Sequence, residues 1–539
     1  MADELRTVDS FSAFTGTRLT SINTGGDAKL VAVNSNYIQG LIDEYGGDKC
    51  ITVDETVSAL PTTQFVTVFT KSGDTYDVSL YPITGTSITS AFTESFKSEA
   101  FVVILPPTIT SVETSAFASA TKMQYINLEH IRSLGNYAFS GTSSLIEVNC
   151  SSMYYRPGMF VFANSGVKRV LSFGTVNMMG GYGFDSCRKL ETLTIASTQF
   201  YQNEFRYCSA LKTITFQRLP FNFNQGNVFL GTTAVETINM PNIDGWWSCT
   251  FKTGGYSNPH GVINSGFAKL YVNGVRVTGT TNPSTVTSVG EGQFFGLYIE
   301  EITLTNSITS IGRYAFAKNT GLQKIHIPSS VTSYGNGIFR HSNALSSVTI
   351  MNSVGITSTQ LIEDANEFFG SGTGTLYING NYTQKIDGNY RDFRFKTIHI
   401  GGNFSTSGDY TYWPFHETYT QIIKIDGNIA SNAQLQKVNN ALLFFECDGQ
   451  ITVERSNGIL LEPTNSIIIH LGYNGICCPV SYLTTAAIIN SKVTTIYVGD
   501  GSSQSADQAV KNQYLADSGW AQYSSKIDLW YNYNGEYKD

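Results

Sequence analysis

The chain has 539 residues, of which 14% are charged and 13% aromatic, with 50 glycines and a formal net charge of −8. An acidic balance of this size gives no electrostatic reason to expect nucleic-acid binding, and no run approaches the roughly 18 apolar residues of a membrane span. The length allows a large core and two or three domains, and the abundance of Thr, Ser, Asn and Gly points to a β-rich, turn-rich fold.

Met1-Ala2-Asp3-Glu4-Leu5 is acidic and no apolar stretch follows it, so the expectation is a protein made in a cytoplasm without a secretory leader. Residues 1–95 are expected to form a small, separate β domain. Arg18 to Ile22 and Lys29 to Val33 flank the turn-rich Asn23-Thr24-Gly25-Gly26, and Phe65 to Thr70 and Thr75 to Tyr81 flank Lys71-Ser72-Gly73-Asp74, which predicts two hairpins. The run from Phe14-Thr15-Gly16-Thr17-Arg18-Leu19 through Gly25-Gly26 to Ile38-Gln39-Gly40-Leu41 resembles the N-terminal attachment segments of bacteriophage fibre and other virion proteins. That resemblance implies a domain that docks to a particle, and a homo-oligomer, with a trimer favoured.

From residue 96 to 240 a ruler sets in. Phe117, Phe139, Phe162, Phe184, Phe205 and Phe229 are 22, 23, 22, 21 and 24 residues apart. Met123, Leu145, Leu190, Leu211 and Val235 each follow their phenylalanine by six residues, and Ile126, Val148, Val170, Leu193, Ile214 and Ile238 open a short strand. A fixed period of this size predicts a right-handed solenoid, in which stacked units share one core. Between 241 and 285 the period lapses into an irregular insertion or a repeat with a protrusion. There Leu270-Tyr271-Val272-Asn273-Gly274-Val275-Arg276-Val277 predicts a type I′ hairpin. The ruler returns over 286–350 with Phe294, Phe316 and Phe339, as in Ile308-Thr309-Ser310-Ile311-Gly312-Arg313-Tyr314-Ala315-Phe316.

These units resemble the BspA-like leucine-rich repeat family, whose repeats read roughly as strand, "VTSIG", "AF", small loop, "L", strand. The resemblance implies a surface adhesion or interaction protein. After 350 the phenylalanines fade, but strands continue at Leu376-Tyr377-Ile378, Ile398-His399-Ile400, Ile423-Lys424-Ile425, Phe444-Phe445, Ile468-Ile469-His470-Leu471 and Ile496-Tyr497-Val498. Residues 351–539 therefore read as divergent solenoid repeats, with a helix over Ser431 to Leu443. Ser505 to Ala516 with Trp520 and Tyr523 reads as an end cap.

Chemistry is scarce. The seven histidines have no metal spacing, and neither a nucleophile elbow nor a phosphate loop occurs. Gly370-Ser371-Gly372-Thr373-Gly374 leads into a strand, so it reads as a turn. Glu363, Asp364 and Glu367 read as a solvated face. Cys187 and Cys208, each three residues after a repeat phenylalanine, read as buried structural thiols, and Cys477-Cys478 is no metal motif. The expectation is therefore a chain with no cofactor or metal site and no enzymatic activity.

Side chains alternate along a strand, which predicts an outward column. Its first part is Asn127, Asn149, Thr194, Thr215 and Asn239. It then turns aromatic and cationic at Tyr271, His326, Thr349, Tyr377, His399, Lys424, His470 and Tyr497. The candidate ligand face comprises Tyr271, His326, Tyr377, His399, Lys424, His470 and Tyr497. Two functions stay open. One is a virion structural protein on the particle surface that contacts other virion proteins and a host glycan or protein. The other is a bacterial or protist surface adhesion or interaction protein. A polysaccharide-degrading enzyme is a distant third.

Overall fold

The computed structural model describes residues 64–72, 75–174, 181–223, 227–251, 266–351, 355–363, 370–385, 394–407, 420–429, 444–447, 467–471, 493–499, 502–516, 521 and 523–534, with the backbone of strands Leu19–Thr24 and Asp27–Ala32. The helix expected over Ser431 to Leu443, the pair Cys477-Cys478, Trp520, Asp364 and Glu367 lie outside the described residues, as does most of the segment expected to mediate attachment. The chain divides into two compact units, Met1–Val275 and Arg276–Asp539.

In the first unit both expected hairpins are present. Leu19–Thr24 pairs antiparallel with Asp27–Ala32, and Gln64–Ser72 with Thr75–Ile83. The second hairpin does not stand apart from the repeats, because Gln64–Ser72 also pairs with Ala100–Ile104, which in turn pairs in parallel with Tyr125–Ile126. The domain boundary expected at residue 95 therefore crosses a continuous sheet. Further along, Glu147–Asn149, Arg169–Ser172, Thr192–Ile195, Thr213–Phe216, Thr237–Met240 and Lys269–Val272 pair consecutively and in parallel. The sheet thus runs straight across the stretch where the period lapses. There a short helix, Ile243–Trp247, is capped by the Asn242 side chain, which accepts from the Gly245 N–H at 2.6 Å, and it buries Trp246 and Trp247, Trp246 against Phe221 and Phe251. The turn after Lys269–Val272 has φ of 49° at Asn273 and 78° at Gly274, as the Asn-Gly signal requires.

The phenylalanine ruler is a physical stack. Phe117, Phe139, Phe162, Phe184, Phe205 and Phe229 lie 5.4, 5.2, 5.0, 5.4 and 5.1 Å apart, centroid to centroid, with their rings nearly parallel. All are buried, and Phe96 extends the column below Phe117. The loops are laced as well: the Phe117 N–H donates to the Ala138 carbonyl, Phe139 to Val161, Phe162 to Gly183 and Phe184 to Glu204. To make these bonds the residue two before the phenylalanine adopts a left-handed backbone at Ser115, Tyr137, Phe160, Tyr182, Asn203 and Asn227, and the residue two after does so at Ser119, Gly141, Asn164, Ser186, Tyr207 and Gly231. Three residues after Phe184, Phe205 and Phe229 stands a small donor. The Cys187 and Cys208 thiols and the Thr232 hydroxyl donate to the preceding unit's phenylalanine carbonyl. Burial pushes the Cys187 thiol up to about 12 and Cys208 well above the usual range, so both are inert donors rather than nucleophiles.

Glu204 departs from this economy. It precedes Phe205, where other units carry Ala116, Ala138 or Val161, and it is fully buried. One carboxyl oxygen accepts from the Tyr201 N–H at 2.6 Å, and the other has no hydrogen-bond partner among the described residues. Burial holds its pKa well above the usual carboxylate value. In the second unit the same position is Gln293, whose amide oxygen accepts from Gly290 N–H in the same way. A carboxyl whose folded pKa is raised takes up a proton on folding, so its contribution to stability falls as pH rises above the unfolded value and levels off only beyond the folded one. Glu204→Gln should therefore stabilise the protein at neutral pH by about 1–3 kcal/mol, the cost of an orphaned buried polar group, and have little effect near pH 4. Urea unfolding from pH 4 to pH 8 tests this; parallel curves for variant and wild type would refute it.

The second unit repeats the plan. Phe294, Phe316 and Phe339 stack at 6.0 and 5.7 Å. The column continues at Leu361, whose carbonyl accepts from Phe339 N–H exactly one repeat on, on the short helix Ser358–Ile362. Glu363, which ends this helix, is not a solvated acid. It is buried, with its carboxylate against the Arg313 guanidinium at 2.5 Å and Arg340 at 3.6 Å. Gly370, Gly372 and Gly374 all have positive φ and lead into Thr375–Ile378, as a turn. One parallel sheet of eleven strands runs from Gly279–Thr281 to Ile527–Leu529, so the stretch after residue 350 is continuous with the repeats before it. In its divergent part an asparagine ladder runs beside a shorter aromatic stack of Tyr382 on Phe404 at 6.0 Å. Asn381 Oδ1 accepts from Asn403 N–H at 2.8 Å, and Asn403 Oδ1 from Asn428 N–H at 2.7 Å.

Candidate functional site: the open sheet face of the second unit

The register of the eleven strands fixes which residues share a face. Thr303, His326, Thr349, Tyr377, His399, Lys424, Glu446, His470, Tyr497 and Asp528 occupy one row across adjacent strands. A second row lies two residues earlier on each strand: Glu301, Lys324, Ser347, Thr375, Thr397, Ile422 and Phe444. The inward residues between them, such as Ile325, Val348, Leu376 and Ile398, are buried.

Exposure along this face is graded. Glu301, Thr303, Lys324 and His326 are exposed, and Ser347, Thr349, Tyr377 and His399 are half-buried. Glu301, Thr303, Lys324, His326, Ser347 and Thr349 line a groove of about 490 Å³. Beside it the Tyr377 hydroxyl donates to Asn379 Oδ1 at 2.9 Å, and the ring lies 4.8 Å from that of His399. His399 Nε2 meets Asp426 Oδ1 at 2.7 Å. With the carboxylate ionised this places the hydrogen on Nε2 and leaves Nδ1 as an acceptor when the ring is neutral.

Lys424 and His470 depart from expectation. They belong to the outward row, but at 9% and 2% exposure they are buried. A C-terminal turn covers His470: Trp530 stacks on its ring at 3.9 Å and 14°, and Tyr533 stacks on Trp530 at 4.6 Å. Beneath, Glu446 joins His470 Nδ1 at 2.5 Å to Lys424 Nζ at 3.5 Å, and His470 Nε2 donates to the Gly499 carbonyl at 2.7 Å. Tyr497 packs edge-on against Trp530 and Tyr533, and burial, then the Asp528 charge, push its phenol up. The cap expected from Ser505 to Ala516 is present as the helix Gln504–Ala516. Its buried Asp507 accepts from Tyr531 N–H at 2.6 Å and so anchors the Trp530 turn. The aromatic plug is Trp530 and Tyr533, and it closes the sheet face.

Tyr271 lies in the first unit, half-buried and in register with Asn239. Asn127, expected to face outward, is buried, with its amide clamped on both backbone groups of Leu105. The residues that strand alternation missed are Glu301, Lys324 and Ser347 in the second row, and Asp426 just past its strand. The row two positions before the chosen column held the signal.

No group of His, Cys, Asp and Glu among the described residues is arranged to hold a metal. No helix among them is long and apolar enough to cross a membrane.

A laced stack of strand-and-loop units with one open sheet face defines a leucine-rich repeat protein. The family model for the BspA type leucine rich repeat region matches residues 81–191, 158–253 and 268–369, together just over half of the chain. The chain belongs to this family. Among solved structures it is similar to a leucine-rich repeat protein from Bacteroides ovatus, with 16% identity and a TM-score of 0.27 over 67% of this chain and 93% of that one. It is also similar to the pneumococcal vaccine antigen PcpA, with 13% identity and a TM-score of 0.31 over 81% and 97%. A leucine rich cell surface protein from Faecalibacterium prausnitzii gives 14% identity and a TM-score of 0.21 over 85% and 98%. No curated protein matches the chain by sequence.

Proposed function

We propose that this chain is a non-enzymatic surface adhesion or interaction protein whose open sheet face in the second unit binds the partner. The observation that carries this reading is the groove from Glu301–Thr303 to Ser347–Ile350, lined by exposed polar side chains on two strands and half-buried ones on the third, over a buried core. Side chains fixed by a parallel ladder lose little entropy on binding, and repeated weak contacts along an array add up. Membership of the BspA-type family supports the surface reading. The virion reading, drawn from the N-terminal resemblance, the expected lack of a leader and the free thiols, gains no support from family membership.

Beads coated with the purified protein should adhere to cultured epithelial cells above albumin-coated controls. The double variant Thr303→Arg, Thr349→Arg fills the groove from outward positions and should reduce adhesion about tenfold, equivalent to ~1.4 kcal/mol. No adhesion by wild type, or equal adhesion by the folded variant, would overturn the reading.

A further inference from the structure

We propose that the ligand of this face is a neutral, extended oligosaccharide that crosses the strands from Thr303 to His399 and packs on the Tyr377 ring. The inference rests on the recognition reading above and names its ligand class. Three observations converge.

The first is charge. Glu301 and Lys324 stand side by side on adjacent strands in register. Glu300 is held by Arg276 at 2.6 Å, and Asp426 by His399 at 2.7 Å. The groove strands therefore balance Glu301 against Lys324, and with His399 neutral Asp426 adds a single negative charge at the far end, too little to select a charged polymer. The second is the scarcity of apolar anchors: between Thr303 and His399 the two rows hold one large aromatic ring, the half-buried Tyr377. Protein interfaces are built around buried aromatic or aliphatic anchors, yet none of the exposed large hydrophobic side chains among the described residues lies on these strands. What the face does present is hydroxyls, from Thr303, Ser347, Thr349, Thr375 and Thr397, flanked by imidazole and carboxylate. A polyhydroxylated ligand matches that inventory.

The third is Tyr377. Its ring leans along its strand toward Asn379, with the hydroxyl over Gly401 of the next strand, where a Cβ would come within 3.2 Å of it. A Cβ at 401 would also meet the Asn379 carbonyl at 2.9 Å, so glycine there accommodates both the backbone and the tyrosine hydroxyl, and the half-buried ring stays part-open beside the groove. The electron-rich face of an aromatic ring attracts the weakly positive C–H groups of a pyranose. Parallel strands recur about every 4.8 Å, close to the length of one sugar in an extended chain, so each strand can serve one ring. Asp426 orients His399 so that Nδ1 accepts from a sugar hydroxyl.

The test uses the full chain in affinity electrophoresis through gels containing galactomannan, xyloglucan, mixed-linkage β-glucan or starch, with heparin and alginate as acidic controls. Retardation by at least one neutral polysaccharide and by neither acidic one is expected. Tyr377→Ala should weaken that binding about tenfold, whereas Tyr377→Phe, which keeps the ring, should retain most of it. In the bead assay, mild periodate treatment of the cells, which cleaves vicinal diols, should abolish adhesion. Adhesion that survives periodate but not trypsin, together with no retardation in any neutral gel, would sink the glycan inference and identify a protein ligand, while the recognition reading stood. Retention by heparin or alginate alone would also overturn it.

Discussion

Phe184→Ala is expected to lower the unfolding free energy by about 3–5 kcal/mol, toward the upper end of large-to-small core substitutions. Phe184 is fully buried between Phe162 at 5.0 Å and Phe205 at 5.4 Å, with Phe173 edge-on at 5.7 Å. In an ordinary core the surroundings relax into part of the void. Here they are held apart, because Phe162 N–H donates to Gly183 and Phe184 N–H to Glu204, fixing the loop spacing whatever the side chain is. The cavity should persist, and its lining loses contacts outright. Phe184→Leu, which refills most of the volume, should recover more than half of the loss. Urea unfolding followed by circular dichroism measures both, with the exposed Tyr154→Ala as control. A cost no greater than that of the control would show that the stack is not what holds the units together.

The stack was legible because a solenoid converts sequence period directly into contact. Phenylalanines 21 to 24 residues apart must meet if each unit has the same path. The left-handed positions flanking each one were hidden. Ser115, Asn203 and Gly292 would suggest them, but Tyr137, Phe160 and Tyr182 occupy the same place. They are held there by the loop ladder and by one another, stacked at 5.0 and 4.6 Å, despite the cost that non-glycine residues incur in this region. Alternation correctly put His326, Tyr377 and His399 on the outward face. It failed at His470 because facing outward from a sheet is a local property, whereas being uncovered depends on Trp530, sixty residues later in the chain, and at Lys424 because its ammonium turns in toward Glu446. The clue was present in the neighbouring row, where Ser347, Thr375 and Thr397 give way to Ile422 and Phe444. A face that turns apolar needs a cover.

Trp530→Ala should remove that cover, with an expected loss of about 3–5 kcal/mol for truncating a buried tryptophan. Trp530 is 6% exposed, held between His470 and Tyr533, and it reaches Phe444 at 6.0 Å and Tyr497 at 5.7 Å. Two opposing effects set the size. Phe444 and Ile422 would meet water, at roughly 25 cal/mol for each Å² of apolar surface uncovered. His470 would regain solvation it gives up under the indole, and its partner Glu446 with it, which offsets part of the loss. Burying a connected ionic chain is nearly neutral while it stays fully hydrogen-bonded, so the apolar term decides the sign. Hydrogen exchange locates the effect: the amides of Phe444–Cys447 and Val493–Val498 should lose protection, while those of Lys324–Ile327, on the uncovered part of the sheet, should not change. Trp530→Phe should restore most of the protection, because a smaller ring still stacks on His470. Unchanged protection at Phe444–Cys447 in the alanine variant would mean that the C-terminal turn lies on the sheet without stabilising it, and the end of the open face would then be set by something other than this cap.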